Sequence, residues 1–141
     1  GNAVFTAQEE AGYKLVQQKC GSCHKEPLFT DNSFRNNGIG IGANNDMGHY
    51  DVTLNAADRY QFKVPSLRNL AYTAPYMHDG RFIRLHAVLD QYSNNIQQTP
   101  NLDPLLKSNL DLTAEEKQQV LAFLNTLNDK NFINNRLLSE Q

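Results

Sequence analysis

Forty residues in a row, 25–64, carry almost no periodic signal, and this stretch limits what the chain can fold into more than any other feature. Asn36-Asn37-Gly38-Ile39-Gly40-Ile41-Gly42 cannot form a stable helix, because each glycine costs ~1 kcal/mol there. Alternation of apolar and polar residues is missing too, apart from a short candidate pairing at Tyr50-Asp51-Val52-Thr53. Structureless stretches of this length are uncommon in a compact domain unless they serve a function. The chain has 141 residues, 40% of them hydrophobic and 20% charged. That suffices for one ordinary domain, 1–141, and not for two well-cored ones. The long stretch therefore has to wrap something.

Helical signals lie on either side of it. Thr6-Ala7-Gln8-Glu9 is a capping box, and Ala11, Leu15 and Val16 add an apolar stripe, so a helix is expected from about Ala7 to Lys19. Leu112-Thr113-Ala114-Glu115-Glu116 is a second capping box behind a hydrophobic residue. Val120, Leu121, Leu124 and Leu127 follow it at helical spacing. A shorter helix is expected from about Arg84 to Tyr92, with Leu85, Val88 and Leu89 on one face. A helical turn is also expected to start at Pro65, since proline suits a first helical position. The fold class is all-α with long irregular loops. Three modest helices and a forty-residue loop need a further source of core, and a large prosthetic group would supply it.

The chemistry is concentrated in Cys20-Gly21-Ser22-Cys23-His24. C-x-x-C-H is the attachment signature of a c-type haem. Two thiols three residues apart on one turn can form thioethers to the two vinyl groups, and the adjacent His24 then lies under the iron as proximal ligand. Competing readings are weaker. Structural zinc wants four ligands, and there is neither a second cysteine pair nor H-x(3–5)-H spacing among His49, His78 and His86. A thioredoxin-like pair expects a βαβ setting, which the pattern lacks. A plain disulfide leaves His24 unexplained. For the second axial ligand the residues leave Met47, Met77, His49, His78, His86 and Tyr92 open.

Charge excludes another class. Thirteen basic against fifteen acidic residues give a formal net charge of -2, without the basic excess of a nucleic-acid binder. No apolar run approaches the ~18 residues of a membrane helix. Gly1 where a starting Met would stand reads as a processed chain or a tag remnant.

Phe62-Lys63-Val64-Pro65-Ser66-Leu67-Arg68-Asn69-Leu70, followed by Thr73-Ala74-Pro75-Tyr76-Met77-His78-Asp79-Gly80, resembles the C-terminal haem domain of the bacterial dihaem cytochrome c peroxidases and their MauG-type relatives. With C-x-x-C-H and the closing L-T-x-x-E-K helix, the resemblance runs from Thr6 to Leu127 and leaves 128–141 as a tail. It implies a class I cytochrome c-like domain whose first and last helices cross closely through a glycine and an aromatic residue, here Gly12 and Phe123. It also implies one covalent haem c and an N-terminal haem domain that this chain does not contain. In the ordinary peroxidases that other haem is the peroxide site, and the C-terminal haem holds or relays electrons.

The same resemblance bears on the distal ligand. Ordinary dihaem peroxidases use a Met fourteen positions after the histidine of P-Y-x-H-D-G, and counting from His78 reaches Tyr92. MauG-type proteins carry Tyr at that place, so Tyr92 is the expected distal ligand. A hard anionic phenolate favours Fe(III), whereas a soft thioether favours Fe(II). His78 resembles the pocket histidine near the propionates. Arg68, Lys63 and Arg81 are candidate propionate partners, since arginine grips carboxylates bidentately. Thr73 and Pro75 match residues whose carbonyls bind calcium between the domains, but the third protein ligand comes from the other domain, so these two alone make an incomplete site. Further implications are export to the periplasm, a small electron-donor protein as partner, and peroxide chemistry on the other half. The isolated domain is therefore not expected to suffice as an enzyme. With no tryptophan in the chain, Trp-mediated hopping cannot begin inside it. The alternative reading is a stand-alone monohaem electron carrier, or a haem-binding sensor with an open sixth site.

Overall fold

The computed structural model describes residues 4–42 and 45–138. Its frame is a pair of crossed helices from opposite ends of the chain. Helix α1 spans Ala7–Lys19 and opens on the capping box at Thr6, whose Oγ1 accepts from the Glu9 N–H while Glu9 accepts from the Thr6 N–H. Helix α4 spans Ala114–Thr126 and repeats the device with Thr113 and Glu116. Each box satisfies two backbone donors that the helix itself cannot use.

The helices cross where Gly12 meets Phe123. A Cβ at Gly12 would stand 1.9 Å from the Gln119 carbonyl oxygen and 2.9 Å from Phe123 Cβ, so only glycine allows this approach. Around the crossing lies the main core: Val16, Phe29, Leu89, Leu112, Val120, Phe123 and Leu124, all buried. Phe5, Tyr13 and Phe29 pack their rings around Phe123 at centroid distances of 5.2–5.9 Å. The close crossing of first and last helices expected from the sequence is present. The third expected helix is α3, Leu85–Asn94, which runs two residues beyond the expected Tyr92. Its Asp90 accepts from Lys117 Nζ at 2.6 Å and so pins α3 to α4.

The long middle stretch is not structureless. Strand β1, Phe34–Arg35, pairs antiparallel with β2, Phe62–Lys63, and the short helix α2 covers Tyr50–Thr53 between them. The expected pairing at Tyr50–Thr53 is thus corrected: those residues make a helical turn, with Val52 exposed, and the pairing lies at either end of the loop. The expected helical turn at Pro65 is also absent. Val64 N–H donates to the Ser33 carbonyl and Thr30 Oγ1 to the Val64 carbonyl, so this backbone serves a long-range extended pairing instead. A 3-10 turn follows later, at Leu70–Tyr72. Polar cross-links hold the stretch as well. Arg35 forks onto Asp31 at 2.8 Å and Asp103 at 2.7 Å. Among the described residues no helix is long and apolar enough to cross a membrane.

Candidate haem site

Cys20, Cys23 and His24 continue α1 as a turn. The Cys20 N–H donates to the Val16 carbonyl, and the Cys23 and His24 N–H groups both donate to the Cys20 carbonyl, at 3.1 and 2.9 Å. Both thiols are free. Burial pushes the Cys20 thiol up to about 11 and raises that of Cys23 too, although the Arg35 guanidinium opposes it there. Thiols in this state are protonated and weakly nucleophilic on their own.

The His24 ring is oriented by the chain. Its Nδ1 lies 2.9 Å from the Phe29 carbonyl oxygen, which can only accept, so Nδ1 carries the proton and Nε2 is left to bind metal. Burial lowers the His24 pKa against the opposing pull of the Phe29 and Pro65 carbonyls, which favours the neutral imidazole a metal requires.

Tyr92 enters from α3. It lies close enough to Cys20 and Cys23 for charge on either thiol to raise its pKa further, while burial is the main cause of the increase. Its hydroxyl oxygen accepts from Asn37 Nδ2 at 3.0 Å, which works the other way. Two hydrogen bonds through Leu110 join this residue to the end of α1, next to the attachment turn. Lys19 Nζ donates to the Leu110 carbonyl at 2.7 Å, and the Leu110 N–H donates to the Tyr92 carbonyl at 3.0 Å.

The remaining candidate ligands lie in varied surroundings. Met77 has φ 71, and its sulfur sits 3.8 Å from Asn37 Nδ2. His86 is exposed and pairs with Asp90 at 3.1 Å. His49 stacks on Phe34 at 4.1 Å and faces Asp58 at 3.8 Å. Met47 lies in the loop, with its carbonyl accepting from the Tyr60 N–H. His78 stacks flat on Phe62 at 3.6 Å and 7°, which brings together the two halves of the long sequence motif. Its Nε2 is buried without a hydrogen-bond partner, and burial lowers its pKa. A buried polar nitrogen of this kind costs free energy unless a ligand satisfies it.

The basic residues fall in different places. Arg81 spends its fork on Asp79 and donates to the Ile39 carbonyl at 2.8 Å. Lys63 is exposed on β2. Arg68 reaches the Pro27 carbonyl at 3.4 Å and lines a hollow of about 670 Å³ with Tyr72, Leu127 and Lys130, beyond the end of α4. Thr73 and Pro75 lie on an exposed loop. Sequence reasoning missed two groups: Asn37, visible only as a turn residue, and the Asp31–Arg35–Asp103 cluster beside Cys23.

Paired thiols on one turn, an oriented neutral imidazole, a phenol near enough to sense charge on either thiol and an unpartnered buried histidine nitrogen suit a haem. No protein-family model matches the chain. It is 39% identical over 129 residues to the methylamine utilization protein MauG of Methylorubrum extorquens, covering 89% of this chain and 36% of that protein. It is 32% identical over 138 residues to the cytochrome c peroxidase Ccp of Escherichia coli, covering 89% of this chain and 26% of that protein. The chain thus spans well under half the length of the curated relatives it matches. Among solved structures, a MauG-like protein associated with microbial copper homeostasis aligns with TM-score 0.82 at 33% identity, over 97% of this chain and 48% of that one. The dihaem peroxidase BthA of Burkholderia thailandensis aligns with TM-score 0.76 at 21% identity, over 93% and 45%, a likeness of fold.

Proposed function

We propose, from the premise that this chain is a haem-binding relative of MauG and the bacterial dihaem cytochrome c peroxidases, that it serves as the electron-transfer domain of a periplasmic peroxidase or MauG-type oxidoreductase. Cys20, Cys23, His24 and Tyr92 are the residues that would hold one haem c. The carrying observation is that the fold brings Tyr92 near enough to the C-x-x-C-H turn for charge on either thiol to raise its pKa, with its Oη held by Asn37 at 3.0 Å.

The bound haem would supply one-electron chemistry, and the chain sets its terms. Cys20 and Cys23 would anchor the macrocycle by thioethers. His24 presents Nε2 because the Phe29 carbonyl holds the proton on Nδ1. Tyr92 would contribute an anionic oxygen, which favours the oxidised state and suits a site that stores or relays oxidising equivalents. With His24 and Tyr92 both given to the haem, this domain would relay electrons, and peroxide cleavage would fall to a second haem on a partner domain. A small donor protein would supply the electrons. His78 Nε2, buried and unpartnered, is available to a haem carboxylate. Arg68, which donates to the Pro27 carbonyl on the loop after His24, is a second candidate partner for that carboxylate. Thr73 and Pro75 would complete a calcium site only with a ligand from the partner domain.

The test is a redox titration of haem-loaded protein from a host with cytochrome c maturation, its mass first checked for one attached haem. Tyr92→Met should raise the reduction potential, because a neutral soft ligand replaces an anionic hard one. Tyr92→Phe should open the site to cyanide. An unchanged spectrum and potential in both variants would return the distal position to Met77 or to no ligand, as in the carrier or sensor reading. A mass equal to the bare polypeptide would count against haem c altogether.

A further inference from the structure

We infer that Asn37 is a positioning residue for the distal ligand: its amide donates to the oxygen through which Tyr92 would bind iron, and so sets the strength of that ligand. This inference rests on the reading of Tyr92 as the ligand.

Geometry fixes which end of the Asn37 amide faces Tyr92. The Ile39 N–H can only donate, and it points at Asn37 Oδ1 at 3.3 Å. The NH₂ group is therefore turned the other way, where it meets Tyr92 Oη at 3.0 Å and Met77 Sδ at 3.8 Å. Flipping the amide would set its oxygen against the phenol oxygen and its NH₂ against a backbone N–H.

The loop that carries Asn37 is held on both sides. Buried Asn36 accepts from the Gly38 N–H at 3.0 Å and donates to Thr99 and Asn101 at 3.0 and 2.9 Å. The Gly38 carbonyl accepts from the Gln97 N–H and from Gln91 Nε2. Gly38 has φ 71, and a Cβ there would lie 2.6 Å from Ile96. A loop braced in this way holds the donor at a defined distance without ordering it anew when the ligand binds.

A phenolate oxygen has lone pairs for both a metal and one hydrogen bond. The bond from Asn37 draws electron density from that oxygen and weakens its donation to iron. More negative charge rests on the oxygen in the reduced state, so the hydrogen bond is stronger there and raises the potential. Met77 is engaged through the second amide hydrogen, so one side chain contacts both the hard ligand and its soft competitor.

Asn37→Leu keeps the bulk and removes the donor. In haem-loaded protein it should strengthen the iron–oxygen bond, seen as an upward shift of the iron–phenolate stretch by resonance Raman. The preference for Fe(III) should rise on the order of tenfold, ~59 mV lower in potential for a one-electron couple. Asn37→Asp keeps the acceptor for Ile39 and also lacks the donor, so it should lower the potential even if Asn37→Leu folds poorly. In a Tyr92→Met background the effect of Asn37→Leu should fall to a small fraction of its original size. An equal shift in both backgrounds would mean that Asn37 acts through packing, and would overturn the inference. If Tyr92→Met shifts the potential while neither Asn37 variant does, Tyr92 stands as ligand and Asn37 is dismissed. If Tyr92→Met shifts nothing, the underlying reading fails and this inference fails with it.

Discussion

Gly12→Ala would normally stabilise a helix: alanine is favoured over glycine by ~1 kcal/mol in a helix interior. Here the opposite sign is expected. The new methyl would lie 1.9 Å from the Gln119 carbonyl oxygen, a backbone atom inside α4 that no rotamer change can move. Reaching ordinary contact near 3.4 Å requires α1 and α4 to part locally by about 1.5 Å. A gap of that size forfeits half or more of the dispersion contacts across it. The side chains that lose them are Val16 and Phe123, each 1% exposed, and Val120 at 2%. Overpacking of a good core costs ~1–3 kcal/mol, and this site stands at the upper end because backbone must move. After subtracting the propensity gain, a net loss of about 2 kcal/mol is expected. For a domain of this size that corresponds to a fall in melting temperature of roughly 6–10 °C. Guanidinium and thermal unfolding of the haem-loaded protein measure it, with exposed Gln18→Ala as a helix control expected within ~0.5 kcal/mol of the parent. A Gly12→Ala protein as stable as the parent, or more so, would refute the close crossing.

Asp31 is held well below the usual carboxylate range, first by hydrogen bonds from Ser33 and then by the Arg35 guanidinium. A depressed folded-state pKa contributes stability above the unfolded value of ~3.9, and loses it as pH falls through the folded one. Asp31→Asn should therefore be less stable than the parent at pH 7, with a gap that begins to narrow below the unfolded value of ~3.9 and closes only as pH falls through the much lower folded one, as denaturant titrations over that range will read; a constant gap would contradict the linkage. Removal of haem should loosen 45–63 more than α4 in hydrogen exchange, since that segment supplies none of the buried hydrophobic residues whereas α4 supplies three. Equal protection in the two forms would mean that the segment packs on protein. Thr113→Ala should cost about 1 kcal/mol by freeing the Glu116 N–H, with unfolding midpoints as the check; no loss would show the cap to be redundant.

What could be read directly from the chain is what closes within four or five residues. Thr6 with Glu9 and Thr113 with Glu116 complete their hydrogen bonds inside one helical turn, so α1 and α4 begin where the residue types say they must. The attachment turn is equally local: its thiols and imidazole derive from consecutive backbone bonds to Cys20. Gly12 and Phe123 were legible as a pair only through a family pattern, because nothing near either residue encodes the other. The rest was settled by distance in space. Tyr50–Thr53 has strand-like residues, yet its neighbours in sequence offered no partner strand, and the pairing went to Phe34–Arg35 and Phe62–Lys63. Pro65 had a good helix-start residue type, but Thr30 and Ser33 claimed the backbone of Val64 first. Tyr92 could be counted from His78, whereas the amide that touches its oxygen belongs to Asn37, 55 residues away. Arg35 likewise finds Asp103 across 68 residues. A capping hydrogen bond is the product of a dihedral preference and one residue type; a contact between distant loops depends on how every intervening element has packed, and only the folded chain evaluates that.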